Sequence, residues 1–285
     1  MQSYLELTKP RITWLILMST AIGFVFGLSA NPGTVFSWSI LLHTICGTGL
    51  IASGTAALNQ WYESEFDAHM HRTRERPIPS GRVERRPAFI FAVALSILGF
   101  AQLTWFVNPL TGFLGLFTLA TYIFLYTPMK RRSPHATTIG ALPGAMPPLI
   151  GFAASAGTLT WGAAALFAIL FVWQFPHFYA IAWMYREDYG RAGIKMLPVV
   201  EPDGESTARR ILVFSLLLIP VSFAPTLLGM TGAIYLAGAL LLGLYFLNAG
   251  VRVFRDRSLM RARAVLLASV LYLPALYGLM LLDRA

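Results

Sequence analysis

Five stretches of the chain contain no Asp, Glu, Lys or Arg: residues 12–62, 87–129, 133–185, 211–251 and 264–282. A helix that crosses ~30 Å of hydrocarbon at ~1.5 Å per residue needs about 20 mostly apolar residues. The first four stretches each hold two such spans and a short turn, and the last holds one. The pattern predicts nine transmembrane helices, at 12–30, 39–59, 88–107, 110–127, 137–156, 161–184, 211–229, 232–250 and 264–282. Uncharged connections at Asn31-Pro32-Gly33, Asn108-Pro109, Gly157-Thr158 and Gly229-Met230 join the members of each pair. The fold class expected is all-α, a polytopic membrane protein with nine helices in a single bundle and one domain over 1–285.

Composition agrees with this pattern. Of 285 residues, 56% are hydrophobic and only 12% charged, about half the ~25% share of a soluble domain; mean hydropathy is +0.62. Water-soluble enzymes, nucleic-acid-binding modules and secreted disulfide scaffolds are thereby excluded. The lone Cys46 lies within an apolar span and has no partner for an intrachain disulfide. The N-terminus lacks an Arg-rich presequence and no cleavage site follows the first span, which is therefore expected to be retained.

The net charge of +9 reads as topology rather than as nucleic-acid binding. Of 22 Lys and Arg, 21 precede the first span or fall between spans two and three, four and five, six and seven, or eight and nine. All these regions share one side of the membrane, and the connections on the other side carry no charge. The positive-inside rule puts the N-terminus and charged loops in the cytoplasm and the C-terminus outside. Trp38, Trp105 and Trp161 sit near the uncharged ends, where interfacial aromatics belong.

That rule concerns Lys and Arg alone, yet 10 of the 13 acidic residues also cluster on this side, in loops at about 60–87 and 185–210. In the first, Asn59, Glu63 and Asp67 recur at i, i+4 and i+8, drifting only ~40° per step around a helix. They would line one stripe, with successive positions ~6 Å apart. Two carboxylates so placed repel unless a cation lies between them, and an all-oxygen set suits Mg²⁺, which commonly binds one or two carboxylates plus substrate phosphate oxygens. The next residues include Arg72, Thr73, Arg74 and Arg76, which read as a phosphate-facing loop. In the second cluster Glu187 and Asp188 precede Arg191 and Lys195. Two such helix ends, converging, would hold a diphosphate between divalent ions and neutralise it as a leaving group.

The chain resembles the UbiA superfamily of intramembrane prenyltransferases, and within it the branch that farnesylates haem. The stretches that carry the resemblance are LTKPR from Leu7, NQWYESEFDAHMHRTRERPIPSG from Asn59, YTPMKRRSPHATTIGALPGAMPPLIG from Tyr126 and WQFPHFYAIAWMYREDYGRAGIKMLPVV from Trp173. The resemblance implies that Asn59, Glu63 and Asp67 form the first Mg²⁺–diphosphate motif and Asp188 the second, with Glu63, Asp67 and Asp188 on the metal. Glu63 stands where Asp is more usual, and Tyr189 where relatives that prenylate aromatic acids often have a second Asp. Arg72, Arg76, Lys130, Arg131 and Lys195 match basic positions near the diphosphate. The family's Gly-Gly pair reads Ala141-Leu142-Pro143-Gly144 here.

The same resemblance implies farnesyl diphosphate and haem b as substrates, Mg²⁺ as cofactor, and a farnesyl group transferred to a haem vinyl group. It also implies a bacterial cytoplasmic (inner) membrane, an active site on the cytoplasmic side, and hand-over of product to a haem A synthase or terminal oxidase assembly. His177 has two readings: a neutral imidazole bonded to a neighbouring carbonyl, or a haem contact. A same-fold alternative acts on an aromatic acid or quinone precursor. A secondary transporter is the different-class alternative; it would expect ionisable residues near the midplane, where this chain has no Asp, Glu, Lys or Arg.

Overall fold

The computed structural model describes residues 2–30, 33 and 35–285, so the connection expected at Asn31-Pro32 lies outside them. Nine helices among the described residues are long and apolar enough to span a bilayer, as the charge-free stretches require. A short α1 (Gln2–Leu7) precedes α2 (Pro10–Leu28), α3 (Trp38–Asp67) and α4 (Arg85–Phe106). The fourth span is composite: α5 (Pro109–Ala120), a π-helical segment over Thr121–Tyr126, and α6 (Thr127–Met129). The fifth comprises α7 (Ala136–Gly144) and α8 (Pro147–Ala156), and the sixth is α9 (Trp161–Met184). After α10 (Arg186–Arg191) and α11 (Leu197–Val200), the last three spans are α12 (Glu205–Val221) with α13 (Ala224–Leu227), then α14 (Ala233–Arg255) and α15 (Leu259–Leu282).

Several helices outrun the apolar stretches that predict them, and the expected loops shorten accordingly. Helix α3 continues without interruption through Asp67, so the first loop is residues 68–84 rather than 60–87. The segment 185–210 is not a simple loop either: α10, α11 and the first turn and a half of α12 lie inside it. Helix α14 runs on to Arg255 and α15 begins before Arg261. Intrahelical hydrogen bonds do not stop where hydrocarbon stops, and Arg stems lie along the apolar surface while their heads reach water.

Helix α3 packs along α4, α2 along α8, and α9 against α12 and α15. The α2–α8 pair approaches closely enough to require glycine. A β-carbon on Gly151 would fall 1.8 Å from the Thr20 carbonyl oxygen, and one on Gly23 would fall 2.0 Å from the Pro148 oxygen. Small residues let membrane helices gain packing contacts that the hydrophobic effect does not supply in lipid. One buried polar cluster in the last spans is mutually satisfied: Tyr235 donates to the Ser222 carbonyl at 2.8 Å, and the Tyr272 and Ser222 hydroxyls pair at 2.7 Å. Ile90, Ile97, Leu98, Leu241 and Leu271 remain exposed, an outer surface suited to lipid.

The fifth span breaks because Pro147 and Pro148 have no N–H to continue the helical ladder. Gln174 of α9 ties α7 to α9 just before the break, donating from Nε2 to the carbonyls of Ala141 (3.0 Å) and, in its own helix, Leu170 (3.2 Å). Its Oε1 lies where a β-carbon on Gly144 would sit, 1.9 Å away. The chain's Ala141-Leu142-Pro143-Gly144 sequence thus keeps a glycine at the one position where the clamp needs it.

Candidate active site at the charged ends of the spans

Helix α3 delivers the predicted stripe intact. Asn59, Glu63 and Asp67 are all buried, Asp67 completely, and each is met by a cation or a donor. Lys130 Nζ lies 2.7 Å from Glu63 Oε1 and Arg76 2.7 Å from Asp67 Oδ2. Asn59 donates to the Thr127 hydroxyl at 3.3 Å, and its Oδ1 accepts from Lys9 Nζ at 3.3 Å. The other carboxylate oxygen of Asp67, Oδ1, is buried with no hydrogen-bond partner among the described residues. A buried anionic oxygen without a partner is costly; here it shares a helix stripe with the Glu63 carboxylate one turn away and the Asn59 amide two turns away. That donor set is all oxygen and hard, the chemistry a small divalent cation prefers. Each of the three side chains is nonetheless engaged by a protein cation, and the described residues hold no cluster of three or more Asp, Glu, His or Cys side chains placed to bind a metal.

The π-helical segment builds the opposing wall. Its wider turn carries Tyr122 and Tyr126 toward the stripe, and the Thr127 hydroxyl donates back to the Tyr122 carbonyl at 2.8 Å. Lys130 stands 4.5 Å above the Tyr126 ring on its way to Glu63. Burial disfavours a charged Lys130, but the Glu63 carboxylate outweighs it and holds the ammonium well above its ordinary pKa. π-Helical turns recur at functional sites because they redirect side chains that an α-helix would leave facing elsewhere.

Lys9 is the residue that sequence reasoning missed. It is the only non-glycine with positive φ among the described residues (φ 49°), at the turn between α1 and α2. Burial, reinforced by Arg76, lowers its ammonium to about 7, against the pull of Glu63. Gln60 anchors this turn, its Nε2 donating to the Leu7 carbonyl at 2.9 Å. Pro10 signals only where α2 starts, since proline suits the first helical position; it does not foretell the left-handed backbone of Lys9. Nothing local could reveal that Lys9 meets Asn59, fifty residues on.

The second acidic cluster reaches the first through the 68–84 loop. Asp188 Oδ2 accepts from the Arg72 amide at 3.2 Å and Oδ1 from the His71 amide at 3.4 Å, while Arg191 forms a close ion pair with it. Burial pushes the Asp188 carboxyl up, but the two amides and Arg191 outweigh it, leaving the pKa below its ordinary value. The Lys195 amide donates to the Lys130 carbonyl at 2.8 Å, tying the same segment to the turn after α6.

The expected basic residues divide into two groups. Arg76 and Lys130 point at the stripe, and Arg72 packs over the Tyr185 ring at 5.2 Å beside Tyr189. Lys195 is exposed near Lys130. Arg131 does not join them: its guanidinium lies 4.2 Å over Phe66, on another face of α3. Consecutive residues in a tight turn point apart, so Lys130 and Arg131 cannot both face Glu63. The reading of Thr73 and Arg74 as phosphate-facing is also corrected. The Thr73 hydroxyl is buried and donates to the Asp67 carbonyl at 3.0 Å, and Arg74 is exposed and pairs with Glu75.

His177 lies away from this cluster, within α9. Its ring stacks on Trp173 (4.8 Å), and Nδ1 is 2.7 Å from the Ser269 hydroxyl of α15, not from a carbonyl. Ser269 lies 2.6 Å from the Leu266 carbonyl, which can only accept. The serine proton therefore goes to Leu266, the serine oxygen accepts from His177 Nδ1–H, and the lone pair of the imidazole is on Nε2.

Comparisons with known proteins agree with this architecture. The family model described as the UbiA prenyltransferase family matches residues 16–273. A protoheme IX farnesyltransferase of Solibacter usitatus (strain Ellin6076) is 66% identical, covering 100% of this chain and 99% of the relative. One from Koribacter versatilis (strain Ellin345) is 46% identical, covering 100% and 94%. Among solved structures, a digeranylgeranylglyceryl phosphate synthase superposes with a TM-score of 0.81 at 17% identity, over 99% of this chain and 97% of that one. A UbiA homologue from Archaeoglobus fulgidus bound to GPP and Mg²⁺ gives a TM-score of 0.69 at 16% identity, over 98% and 99%.

Proposed function

The chain belongs to the UbiA prenyltransferase family, and from that premise we propose that it transfers a farnesyl group from farnesyl diphosphate to a vinyl group of haem b. The full-length identity to protoheme IX farnesyltransferases supports this acceptor over an aromatic acid or quinone precursor. Ionisation of a diphosphate at this site is supported above all by one observation, the unpartnered buried Oδ1 of Asp67 among cations and carboxylates. Against a transporter stand the family match and the full-length farnesyltransferase relatives.

Asp67, Glu63 and Asn59 would hold a divalent ion, Mg²⁺ in our reading, with Asp188 closing the site from the second half. Bound there, the ion would supply neutralisation of charge on the departing diphosphate. The chain's own residues do the rest. Arg76, Lys130 and Arg72, with Lys195 at the rim, exchange their carboxylate and aromatic partners for diphosphate oxygens, for which guanidinium and ammonium donors are well suited. The bond between farnesyl C1 and oxygen breaks with its electron pair leaving on the diphosphate. The vinyl group attacks C1, and water adds to the resulting carbocation and loses a proton, giving a hydroxyethylfarnesyl haem. His177, with its lone pair on Nε2, is our candidate for a haem contact.

The concentration of Lys and Arg on one side supports a cytoplasmic active site and N-terminus in a bacterial inner membrane. The three acids and their cations span both ends of the sequence from α3 to α10, so we treat residues 1–285 as one catalytic domain. The product, apolar at one end and anionic at the other, stays in the bilayer for hand-over to a haem A synthase or an assembling terminal oxidase. Purified, lipid-reconstituted protein incubated with farnesyl diphosphate, haem b and Mg²⁺ tests the proposal. A haem heavier by one farnesyl group and one hydroxyl group is expected; a prenylated phenol in a mixture offering both acceptors, with haem unchanged, would overturn it.

A further inference from the structure

A cleft of about 330 Å³ opens beside α3, about a third of a turn around the helix from the Asn59–Glu63–Asp67 stripe. Trp61, Tyr62 and Phe66 give it an aromatic wall, and Arg85, Arg131 and Arg132 converge on it from α4 and the turn after α6. Two of these arginines are held by ring faces: Arg131 lies 4.2 Å over Phe66 and Arg85 5.7 Å over Trp61. Glu65 is engaged by Arg85. Arg131 and Arg132 have no carboxylate within salt-bridge distance among the described residues, so the cleft keeps a net charge of about +2 beside an apolar wall.

Its surroundings point to the ligand. One helical turn below Arg85, Phe89 is exposed and its ring packs 4.8 Å from Trp61. One turn before Pro128, Phe124 and Leu125 are exposed on the outside of the fourth span. The cations therefore sit where the spans leave the hydrocarbon, with outward-facing apolar side chains directly beneath. The positive-inside rule accounts for arginines on this side, but not for their gathering around an aromatic-walled cavity that the acidic stripe does not use.

We propose that this cleft binds the phosphate headgroup of an anionic phospholipid from the leaflet on the charged side. Arg131 and Arg132 offer fork-shaped donors to phosphate oxygens. Trp61 and Tyr62 cover the glycerol region, as aromatic side chains do at the headgroup level. The acyl chains run down past Phe89 and Phe124. The site is independent of the reaction proposed above and would stand if the prenyl acceptor were different.

The test is native mass spectrometry of the full-length protein, titrated with phosphatidylglycerol and phosphatidylcholine of identical acyl chains. The wild-type protein is expected to retain one phosphatidylglycerol at least tenfold more tightly than phosphatidylcholine. Each arginine near a charged headgroup contributes roughly fivefold, so Arg131→Gln with Arg132→Gln should weaken retention by roughly ten- to thirtyfold. Arg261→Gln with Arg263→Gln, at the start of α15, should leave it unchanged. A photoactivatable phosphatidylglycerol in the unmutated protein gives a readout that does not depend on how a variant folds; it should label peptides containing 61–66 and 128–132. Equal retention of the two lipids, equal loss in both double variants, labelling elsewhere, or displacement of the lipid by haem b would each overturn the proposal.

Discussion

Asp188 accepts a hydrogen bond from the backbone amide of Arg72 across 3.2 Å, joining two segments 116 residues apart in the chain. With the His71 amide beside it, this contact fixes the loop that follows α3 to the helix that follows α9. The two acidic clusters meet through the backbone of that loop, while Arg76, farther along it, grips Asp67. Asp188 thereby positions the loop's cations as well as adding charge.

Asp188→Asn should cost more than one negative charge. An amide side chain can still accept from one backbone N–H, but charge-assisted bonds, each worth about 1.5–3 kcal/mol, become neutral ones. Hydrogen exchange of the residue 71–76 amides is expected to quicken by ten- to a hundredfold, and the KM for farnesyl diphosphate to rise. Unchanged exchange would show that the loop is held by other contacts.

Asp67→Asn tests the unpartnered oxygen. Turnover at saturating metal is expected to fall by about 10²–10³-fold, the range for losing one preorganised electrostatic element. Thermal stability in detergent should change little, because the variant no longer buries an unpaired anionic oxygen but also gives up the charge that faces Arg76. A marked loss of stability with turnover retained would make Asp67 a structural partner of Arg76 only.

Lys9 gives the site a pH dependence with a definite sign. Burial lowers its ammonium to about 7, so Lys9 is charged below that pH and neutral above it. Bound diphosphate favours the charged form, so above about pH 7 binding must take up a proton. The apparent affinity for farnesyl diphosphate should be greatest below pH 7 and fall by up to about tenfold per unit above it, until the complex's own pKa is reached. Lys9→Met should bind weakly and without this slope. A wild-type profile that is flat from pH 6 to 9 would remove Lys9 from the binding set.

Ser269→Ala probes the imidazole tautomer. Removing the hydroxyl that holds Nδ1–H leaves His177 in place but unoriented, and loss of such outer partners typically costs 10–100-fold in metal affinity. A shift in the Soret band on titration with haem b should therefore be weakened in Ser269→Ala and lost in His177→Ala. If both variants give the wild-type spectrum, His177 is a packing residue against Trp173.

What the sequence made legible is what rests on local patterning. Charge-free stretches fixed the number of spans, and the i, i+4, i+8 spacing placed Asn59, Glu63 and Asp67 on one buried face. Helix ends were less legible, because α3, α14 and α15 run past the apolar residues that mark them. Partners distant in the chain were not legible at all. Nothing near residue 9 points to Asn59, and nothing near residue 188 points to the amides of residues 71 and 72. Arg131 and Lys130 have the same charge in adjacent positions, and only the turn's geometry sends one to Phe66 and the other to Glu63.

The site account is tested most directly by a structure with Mn²⁺ and a non-hydrolysable farnesyl thiodiphosphate, read by anomalous scattering. The account predicts a metal peak bound to Asp67 Oδ1 at about 2.1–2.2 Å, with Arg76 and Lys130 moved from their carboxylates onto the diphosphate. A diphosphate bound with Asp67 Oδ1 still bare, and Arg76 and Lys130 still on Asp67 and Glu63, would contradict it.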